Sequence, residues 1–236
     1  VHRIQEDSAQ PAEIITEEKT MDQQVTPETP VVDVQVVATQ AAEAERARIA
    51  AIEALGQRFN AADLSRKLIS EGVQLDAARA EAAAAALVAQ GLDAVGRGCD
   101  VADPAAVEAL AASIGPLADV DVLVLAAGVM SDRSAKTLRT TPEEWRRVMG
   151  VNLDGVHHVV QAFGPGMAAR RDGRIITVSA CLGRMSGPGT SGGLSAYRVS
   201  KAAVNGYTKN LAVEVGGGRR GVLVDATCPA HCRTDM

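Results

Sequence analysis

The pattern of apolar and polar positions changes near residue 91 of this 236-residue chain. Before that point, apolar residues recur at helical spacing within Ala-rich runs. Beyond it, short apolar runs alternate with longer amphipathic segments. A short apolar run is typical of a buried strand, and a period near 3.6 residues is typical of a helix. The chain beyond residue 91 is therefore predicted to alternate strands with helices.

Capping and turn residues set the predicted boundaries. Asp103-Pro104 and Thr141-Pro142 each place a capping side chain before a proline at the first helical position. Gly56, Gly72 and Gly91 follow the last periodic residues of three early helices. The predicted helices cover residues 40–55, 61–71, 76–90, 104–114, 141–160 and 194–215. The predicted strands cover residues 92–99, 120–127, 173–179 and 221–228.

This order of elements predicts an α/β fold in which right-handed crossovers join parallel strands and place helices on both faces of the sheet. Residues 1–30 are rich in Gln, Glu, Thr and Pro and have few large apolar side chains, which predicts disorder. Val31–Val37 has strand composition, but nothing nearby pairs with it. The predicted domains are a disordered acidic leader over residues 1–39, a short helical segment over 40–75 and an α/β domain over 76–236.

Composition narrows the class of protein. The net charge of −5 and the lack of a large basic patch argue against a nucleic-acid partner. No apolar run reaches the length of a membrane span, and the polar N-terminus does not have the pattern of a signal peptide. The four cysteines lack the spacing of a disulfide framework, which is typical of a reducing compartment. We therefore expect a cytoplasmic protein without a membrane partner.

The segment Cys228-Pro-Ala-His231-Cys232 has two interpretations. It could hold a metal ion, or it could be two unlinked thiols after a buried strand. The second interpretation is favoured because no other ligand pair is present elsewhere in the sequence. No metal site is predicted.

Tyr197 and Lys201 are the main candidates for catalytic residues. Four residues apart on a helix, they share one face. A neighbouring ammonium stabilises a phenolate and is expected to lower the pKa of Tyr197 from about 10, giving a proton donor usable near neutral pH. Many helix surfaces carry such a pair, so its meaning depends on what lies near it.

Small and polar residues follow the predicted strands at the edge where parallel α/β sheets bind ligands. Small residues there allow a flat ligand to approach the backbone. Asn152 lies within the long predicted helix, where its side chain gives no local advantage. The residues that leave the strands are Asp100, Val101, Ala126, Ala127, Gly128, Ser179, Pro229 and Ala230.

Together these residues resemble the short-chain dehydrogenase/reductase family over about residues 76–236, and most closely its carbonyl-reductase-type members. Tyr197 and Lys201 match the family's Tyr-x-x-x-Lys, and Ser179 and Asn152 match its strand-end serine and helix asparagine. The fold class that the resemblance implies is an incomplete Rossmann-like doubly wound parallel sheet, with an extra N-terminal helical or disordered segment. Further matches are Ala126-Ala127-Gly128, Pro229-Ala230 and Thr234-Asp235-Met236.

The resemblance implies an oxidoreductase that uses NAD or NADP and acts on a small carbonyl or alcohol substrate. Tyr197 would be the general acid or base, Lys201 would lower its pKa, Ser179 would orient the carbonyl, and Asn152 would hold a water. Homodimerisation through the long helix and the Tyr-bearing helix is also implied. The cofactor would contact Asp100, Val101, Ala126, Ala127, Gly128, Tyr197, Lys201, Pro229, Ala230, Cys232 and Thr234.

One part of the family pattern is missing. Residues 1–100 contain no Thr-Gly-x-x-x-Gly-x-Gly turn of the kind that binds cofactor phosphates at a helix N-terminus. Two alternatives therefore stay open: an inactive, fragmentary or chimeric fold that acts as an interaction module, or a protein related to phage head assembly. The second rests on Glu43–Gln74, which resembles the tail or linker of phage head-maturation proteases.

Overall fold

The structure, a computed structural model, describes residues 34–115, 120–131, 136–186 and 192–229. Backbone contacts divide the chain into two units, residues 1–45 and 46–236. The described part of the first unit is helical. The second unit contains the sheet and the candidate site. Each helix in the described residues is too short or too polar to span a lipid bilayer.

The described elements follow the predicted order, with one strand fewer. The helices are α1 (Val34–Arg58), α2 (Ala62–Ser70), α3 (Leu75–Val88), α4 (Pro104–Ser113), α5 (Pro142–Met149), α6 (Gly155–Arg170) and α7 (Ser195–Glu214). The strands are β1 (Val122–Leu125), β2 (Gly173–Val178) and β3 (Val222–Thr227). Helix α1 begins six residues before the predicted start and continues through Gly56 to Arg58.

Three parallel strands form the sheet in the order β1-β2-β3. The register pairs Leu125 with Thr177 and Ile175 with Val224, so these side chains share one face. Helices α6 and α7 cover that face, and the main core forms there. The core consists of Leu125, Val156, Val160, Met167, Ile175, Val204 and Val222. Within the described residues, α6 and α7 lie on this face, and the parallel α/β sheet that the sequence predicts is confirmed.

The long predicted helix over residues 141–160 is interrupted. The hydroxyl of Thr141 accepts a hydrogen bond from the backbone N–H of Glu144 and caps α5, as the sequence predicts. A π-helical turn over Gly150–Asp154 then separates α5 from α6, which ends ten residues later than predicted. Such turns are frequent at functional sites, because they insert an extra residue and redirect the side chains of the turn. Asn152 lies within this turn.

The strand predicted over residues 92–99 is wrong. Within the described residues, this segment forms no ladder with any strand. Gly96 and Gly98 instead lie against the backbone of α3, where a Cβ atom at either glycine would collide with Ala80 or Ala77. Apolar composition is not enough to make a strand when no neighbouring strand supplies the hydrogen bonds.

A second, smaller core joins the first three helices within residues 46–88. Ile52, Leu68 and Ala78 are almost completely buried there. The guanidinium of Arg48 donates a hydrogen bond to the carbonyl of Val73 over 2.6 Å and ties α1 to the turn before α3. This helical cluster uses apolar residues that the sequence places on one side of each helix.

Candidate active site

Tyr197 and Lys201 lie on one face of α7 near the carboxyl ends of the strands. The Lys201 ammonium is 5.8 Å from the centre of the Tyr197 ring. Its Nζ donates a hydrogen bond over 2.8 Å to the carbonyl of Val178, the last residue of β2. Lys201 is only 5% exposed, whereas Tyr197 is half-buried. The helix thus brings a buried ammonium and an accessible phenol to the same strand end.

The electrostatics differ from the sequence-based expectation for Tyr197. Burial raises its pKa above the usual 10, and the nearby thiols of Cys181 and Cys228 raise it further. Burial also lowers the pKa of Lys201 from 10.5. The expectation that Lys201 lowers the pKa of Tyr197 is therefore wrong here. Loss of water around the phenol is the largest cause of the raised pKa, and the Lys201 ammonium bonds to a strand carbonyl.

Asn152 connects the loop after β1 to α7. Its Oδ1 accepts a hydrogen bond from the backbone N–H of Val129 over 2.7 Å. Its Nδ2 donates to the carbonyl of Val129 and to Oγ of Ser200, each over 3.0 Å. The Ser200 hydroxyl in turn donates to the carbonyl of Tyr197. The buried Asn152 amide is thus committed to protein partners, which fixes the backbone on which Tyr197 is carried.

Ser179 follows β2 and lies against α7. Its backbone N–H continues the ladder by donating to the carbonyl of Thr227 over 2.8 Å. Its hydroxyl donates to the carbonyl of Lys201 over a long 3.3 Å bond. The next turn packs closely on α7 at Gly183, where a Cβ atom would lie 2.7 Å from the backbone carbon of Lys201. Glycine at this position lets the β2 exit approach the helix.

Sequence reasoning missed Ser131. This buried serine lies in the loop after β1, and its hydroxyl accepts a hydrogen bond from the backbone N–H of Tyr197 over 2.9 Å. It thereby caps the first turn of α7, where Leu194, in the left-handed conformation, makes no side-chain cap. No local sequence signal marks Ser131, because it lies 66 residues from its partner.

The predicted cofactor-binding residues after β1 and β3 differ in their surroundings. Gly128 lies beside the active-site side chains: a Cβ atom there would be 3.5 Å from Nζ of Lys201 and 3.4 Å from Oδ1 of Asn152. Ala126, Ala127 and Pro229 are exposed at strand ends. Ala230, Cys232 and Thr234 lie outside the described residues.

Asp100 and Val101 begin a turn that contacts the start of α6 through Val101. The Asp100 carboxylate accepts a hydrogen bond from the backbone N–H of Ala102 over 2.9 Å and shapes the turn. Val101 lies against Gly155, the first residue of α6, and its carbonyl is 3.0 Å from Nδ1 of His158. The carboxylate of Asp100 stays exposed, as a side chain available to a ligand would be.

The described residues contain the Tyr–Lys pair but no glycine-rich phosphate turn. Tyr197 and the ammonium of Lys201 lie close together, and Gly128 leaves the backbone beside Lys201 without a side chain. Over residues 34–115, no glycine-rich turn joins a strand to a helix, so a phosphate cradle of that kind is absent from this part of the chain. The described residues also contain no cluster of three or more His, Cys, Asp or Glu side chains that could hold a metal ion.

Comparisons with known proteins agree with this geometry. A family model described as short chain dehydrogenase matches residues 61–236. Galactitol 2-dehydrogenase from Cereibacter sphaeroides is 37% identical over 179 residues, which cover 74% of this chain and 67% of the relative. The 3-oxoacyl-[acyl-carrier-protein] reductase of Escherichia coli is 35% identical over 138 residues, covering 58% of this chain and 53% of the relative. The chain thus spans about half to two thirds of these relatives.

Solved structures show the same likeness. NAD⁺-bound xylitol dehydrogenase matches with a TM-score of 0.58 at 26% identity, covering 66% of this chain and 58% of that one. A structure described as an NAD(P)-dependent gluconate 5-dehydrogenase from Beutenbergia cavernae matches with a TM-score of 0.56 at 33% identity, covering 64% and 57%. The parallel sheet, the Tyr-bearing helix and these matches lead to one conclusion. The chain belongs to the short-chain dehydrogenase/reductase family of oxidoreductases.

Proposed function

We propose that the chain takes part in NAD(P)-dependent interconversion of a small carbonyl compound and its alcohol, with Tyr197 as general acid or base. The observation that supports this most directly is the pairing of Tyr197 with the buried ammonium of Lys201 at the exit of β2. An ammonium buried to this degree is costly, and such groups are concentrated at functional sites.

In this proposal, Tyr197 holds the proton that the substrate oxygen receives. Carbonyl reduction uses Tyr197 as the phenol, which donates its proton to the substrate oxygen. Alcohol oxidation needs the phenolate and is favoured at higher pH. The ammonium of Lys201 stabilises negative charge that develops on the phenol oxygen during the transfer.

Ser179 and Asn152 would position the reacting groups. The hydroxyl of Ser179 makes only a long bond to the carbonyl of Lys201, so a substrate carbonyl can replace that bond at little cost. Asn152 acts through Ser200 and Val129 to fix the helix and the loop that flank the phenol. We therefore assign Ser179 to carbonyl orientation and Asn152 to positioning, with a water held by Asn152 as a further expectation.

The proposed cofactor is NAD or NADP. The xylitol dehydrogenase is described with NAD⁺ bound and the gluconate dehydrogenase with NADP. When bound, the nicotinamide supplies or accepts the hydride equivalent. Lys201, Tyr197 and Gly128 would contact its ribose side. We also propose contacts from Asp100, Val101, Ala126, Ala127, Pro229, Ala230, Cys232 and Thr234.

Three broader features belong to the same proposal. The site would lie in a domain over residues 76–236, preceded by a helical segment over 40–75 and a leader over 1–39. The protein would be cytoplasmic and would form a homodimer through α6 and α7. Carbonyl-reductase-like specificity is proposed on the sequence resemblance. The likeness of residues 43–74 to a phage protease linker stays a prediction.

The first requirement of the proposal is that the chain binds a nicotinamide cofactor, and this can be measured directly. NADH and NADPH are each titrated into the purified chain while nicotinamide fluorescence is recorded. Saturable binding supports the proposal, and no change at millimolar cofactor contradicts it and favours the interaction-module alternative.

Tyr197→Phe tests the chemistry, with Tyr207→Phe as the matched control on the same helix. Tyr207 is also half-buried, and its hydroxyl contacts His157 outside the candidate site. Reduction of a 3-oxoacyl thioester and oxidation of galactitol are followed through NAD(P)H absorbance. We expect a loss of about 10²–10⁴-fold for Tyr197→Phe and little change for the control. Equal rates in the two variants would exclude Tyr197 as the acid.

A further inference from the structure

The turn between α7 and β3 contains a cavity that two arginines share. Its volume is about 460 Å³, and it is lined by Val213, Gly216, Gly217, Arg219 and Arg220. Both arginines are exposed, and neither guanidinium has an ion pair or a hydrogen bond to another residue in the described part of the chain. Two cationic side chains with unused hydrogen-bond donors therefore line one concave surface.

Three consecutive glycines give this turn its shape. Gly216, Gly217 and Gly218 have φ angles of 97°, 59° and 79°, in the left-handed region that other residues rarely adopt. No atom of the described residues lies within 4 Å of the position that a Cβ atom would take at Gly217. The backbone is therefore open to the cavity at this point, and a ligand can approach it closely.

Hydrogen bonds and close packing hold the turn in place. At the helix end, the N–H of Gly217 donates a hydrogen bond to the carbonyl of Ala212 over 2.7 Å. At the strand end, the N–H of Gly221 donates to the carbonyl of Gly218 over 3.1 Å. A Cβ atom at Gly221 would lie only 1.6 Å from the carbonyl oxygen of Arg171, so the turn also packs against the residues before β2. A site that is already shaped loses less conformational entropy when a ligand binds.

The aliphatic part of Arg220 packs directly on Gly216. A Cβ atom at this glycine would lie 2.7 Å from Cγ and 2.8 Å from Cδ of Arg220, so only glycine leaves room for the arginine side chain here. Long cationic side chains often lay their methylene groups on the protein surface and keep the charged end in water. This packing fixes the stem of Arg220 and leaves its guanidinium as the part that reaches a ligand.

The charges near the cavity determine what kind of anion it favours. Glu214, the last residue of α7, opposes the charges of Arg219 and Arg220, and so does the partial negative charge at the helix C-terminus. The carboxylate of Glu214 accepts a hydrogen bond from Nδ2 of Asn210 over 2.7 Å. Long-range attraction for an anion is therefore small. A ligand must gain its binding energy from direct hydrogen bonds to both guanidinium groups.

We propose that this cavity binds the phosphate monoester group of a small organic molecule. Such a group carries a charge of about −1.5 to −2 at pH 7 and has three strong acceptor oxygens, so it can bond Arg219 and Arg220 at once. A carboxylate has two oxygens, which one guanidinium fork already matches. Val213 is 72% exposed and gives the cavity an apolar wall for the organic part of the ligand.

The cavity is separate from the candidate active site. Tyr197 and Val213 lie 16 residues apart on α7, which is about 24 Å at a rise of 1.5 Å per residue. The inference therefore goes beyond the proposed activity and does not depend on it, because binding is measured without nicotinamide cofactor or substrate.

The test titrates the full chain with phenyl phosphate in a calorimeter at constant ionic strength. Benzoate and diethyl phosphate are the matched probes, because each carries only one negative charge. We expect saturable binding of phenyl phosphate, at least tenfold tighter than that of either matched probe, and slower amide hydrogen exchange at residues 213–221. The inference is overturned if phenyl phosphate does not bind, if benzoate or diethyl phosphate binds equally well, or if exchange at residues 213–221 does not change.

Substitutions then locate the site. Arg219→Gln and Arg220→Gln are each expected to weaken binding of phenyl phosphate at least tenfold, because each removes one guanidinium from the cavity. Arg97→Gln is the matched control, since Arg97 is also exposed but lies outside this turn. If circular dichroism shows that an arginine variant is unfolded, Val213→Glu replaces it and should weaken binding by repulsion. Equal binding by the cavity variants and the control would refute the site, and so would an equal loss in all of them.

Discussion

The two faces of the sheet both carry aliphatic residues and have opposite surroundings. Ile175 and Ile176 are neighbours in β2, yet Ile175 is buried in the core under α6 and α7 while Ile176 lies on the open face, which is the face opposite these helices. The candidate active site is attached to the covered side, where Ser179 and Lys201 meet. Aliphatic residues occur on both faces, and only the open face also carries a charged pair, Arg174 and Asp225. The packing of helices on one face decides both its burial and the position of the site.

The largest expected contrast comes from truncating these two isoleucines. Ile175→Ala should lower the free energy of unfolding by about 2–5 kcal/mol, because it leaves a cavity in a closed core. Ile176→Ala should cost less than about 1 kcal/mol, because solvent already reaches its face. Urea denaturation of the two variants measures both values. Equal losses would mean that the open face is packed in solution.

The second-largest loss of stability is expected when the side chain of Asn152 is removed. Asn152→Ala leaves the N–H and carbonyl of Val129 without their side-chain partners, and an unpaired buried polar group costs about 1–3 kcal/mol. We expect a loss of about 2–3 kcal/mol in thermal or urea unfolding. Asn210→Ala is the control, because its bond to Glu214 is exposed on the same helix layer. A loss of similar size in both variants would contradict the positioning role of Asn152.

Lys201→Met should separate activity from stability. The substitution removes the hydrogen bond to Val178 but also removes a buried charge, so stability at neutral pH should change by less than about 1 kcal/mol while catalysis is lost. Lys209→Met, at an exposed position of α7, is the control. Large destabilisation by Lys201→Met alone would show that the ammonium is structural.

The same variant gives a test of pH dependence. The pKa of Lys201 is lowered in the folded chain, so between that pKa and 10.5 the unfolded chain binds the extra proton. Stability from this group therefore rises with pH across that window, and Lys201→Met should flatten the rise. Urea midpoints measured across the alkaline range check the sign. If the stability of the wild type falls with pH and Lys201→Met removes that fall, the pKa of Lys201 is raised in the folded chain, and the assigned direction is wrong.

The smallest effect is expected on the open face. Arg174 and Asp225 form an ion pair there over 2.9 Å, and both side chains are about half exposed. Exposed pairs of this kind contribute little, so Asp225→Asn should change the unfolding free energy by less than about 0.5 kcal/mol. A larger loss in urea denaturation would indicate that this face is shielded from water.

Local signals in the sequence predict most of the fold correctly. Proline and capping residues at Asp103 and Thr141 fix the starts of α4 and α5, because a cap acts within a few residues. The prediction of a strand over residues 92–99 is wrong. A strand forms only when it pairs with a neighbouring strand, and the sequence pattern of one segment does not show whether such a neighbour is present. The π-helical turn at Asn152 is missed for a related reason. Its residues have ordinary helical patterning, and its geometry follows from bonds to Val129 and Ser200.

The parts of the candidate site that depend on residue type and local spacing were predictable from the sequence. Tyr197 and Lys201 share a helix face as their spacing predicts. The direction of the pKa shift at Tyr197 was not predictable, because it depends on burial and on thiols brought in from two other strand ends. Ser131 was missed because its hydrogen bond to Tyr197 depends on how the folded chain brings two distant residues together, which the residues near Ser131 do not indicate.

The hydrogen bond between Ser131 and the N–H of Tyr197 also bears on the order of folding. It joins residues 66 positions apart, so it forms only after the chain between them has closed a long loop. Contacts of such long sequence separation form slowly compared with a single helix. We therefore expect α7 to form its central turns early and to complete the turn that carries Tyr197 only when β1 and its loop are in place. On this view, the phenol of Tyr197 reaches its final position among the last groups to do so.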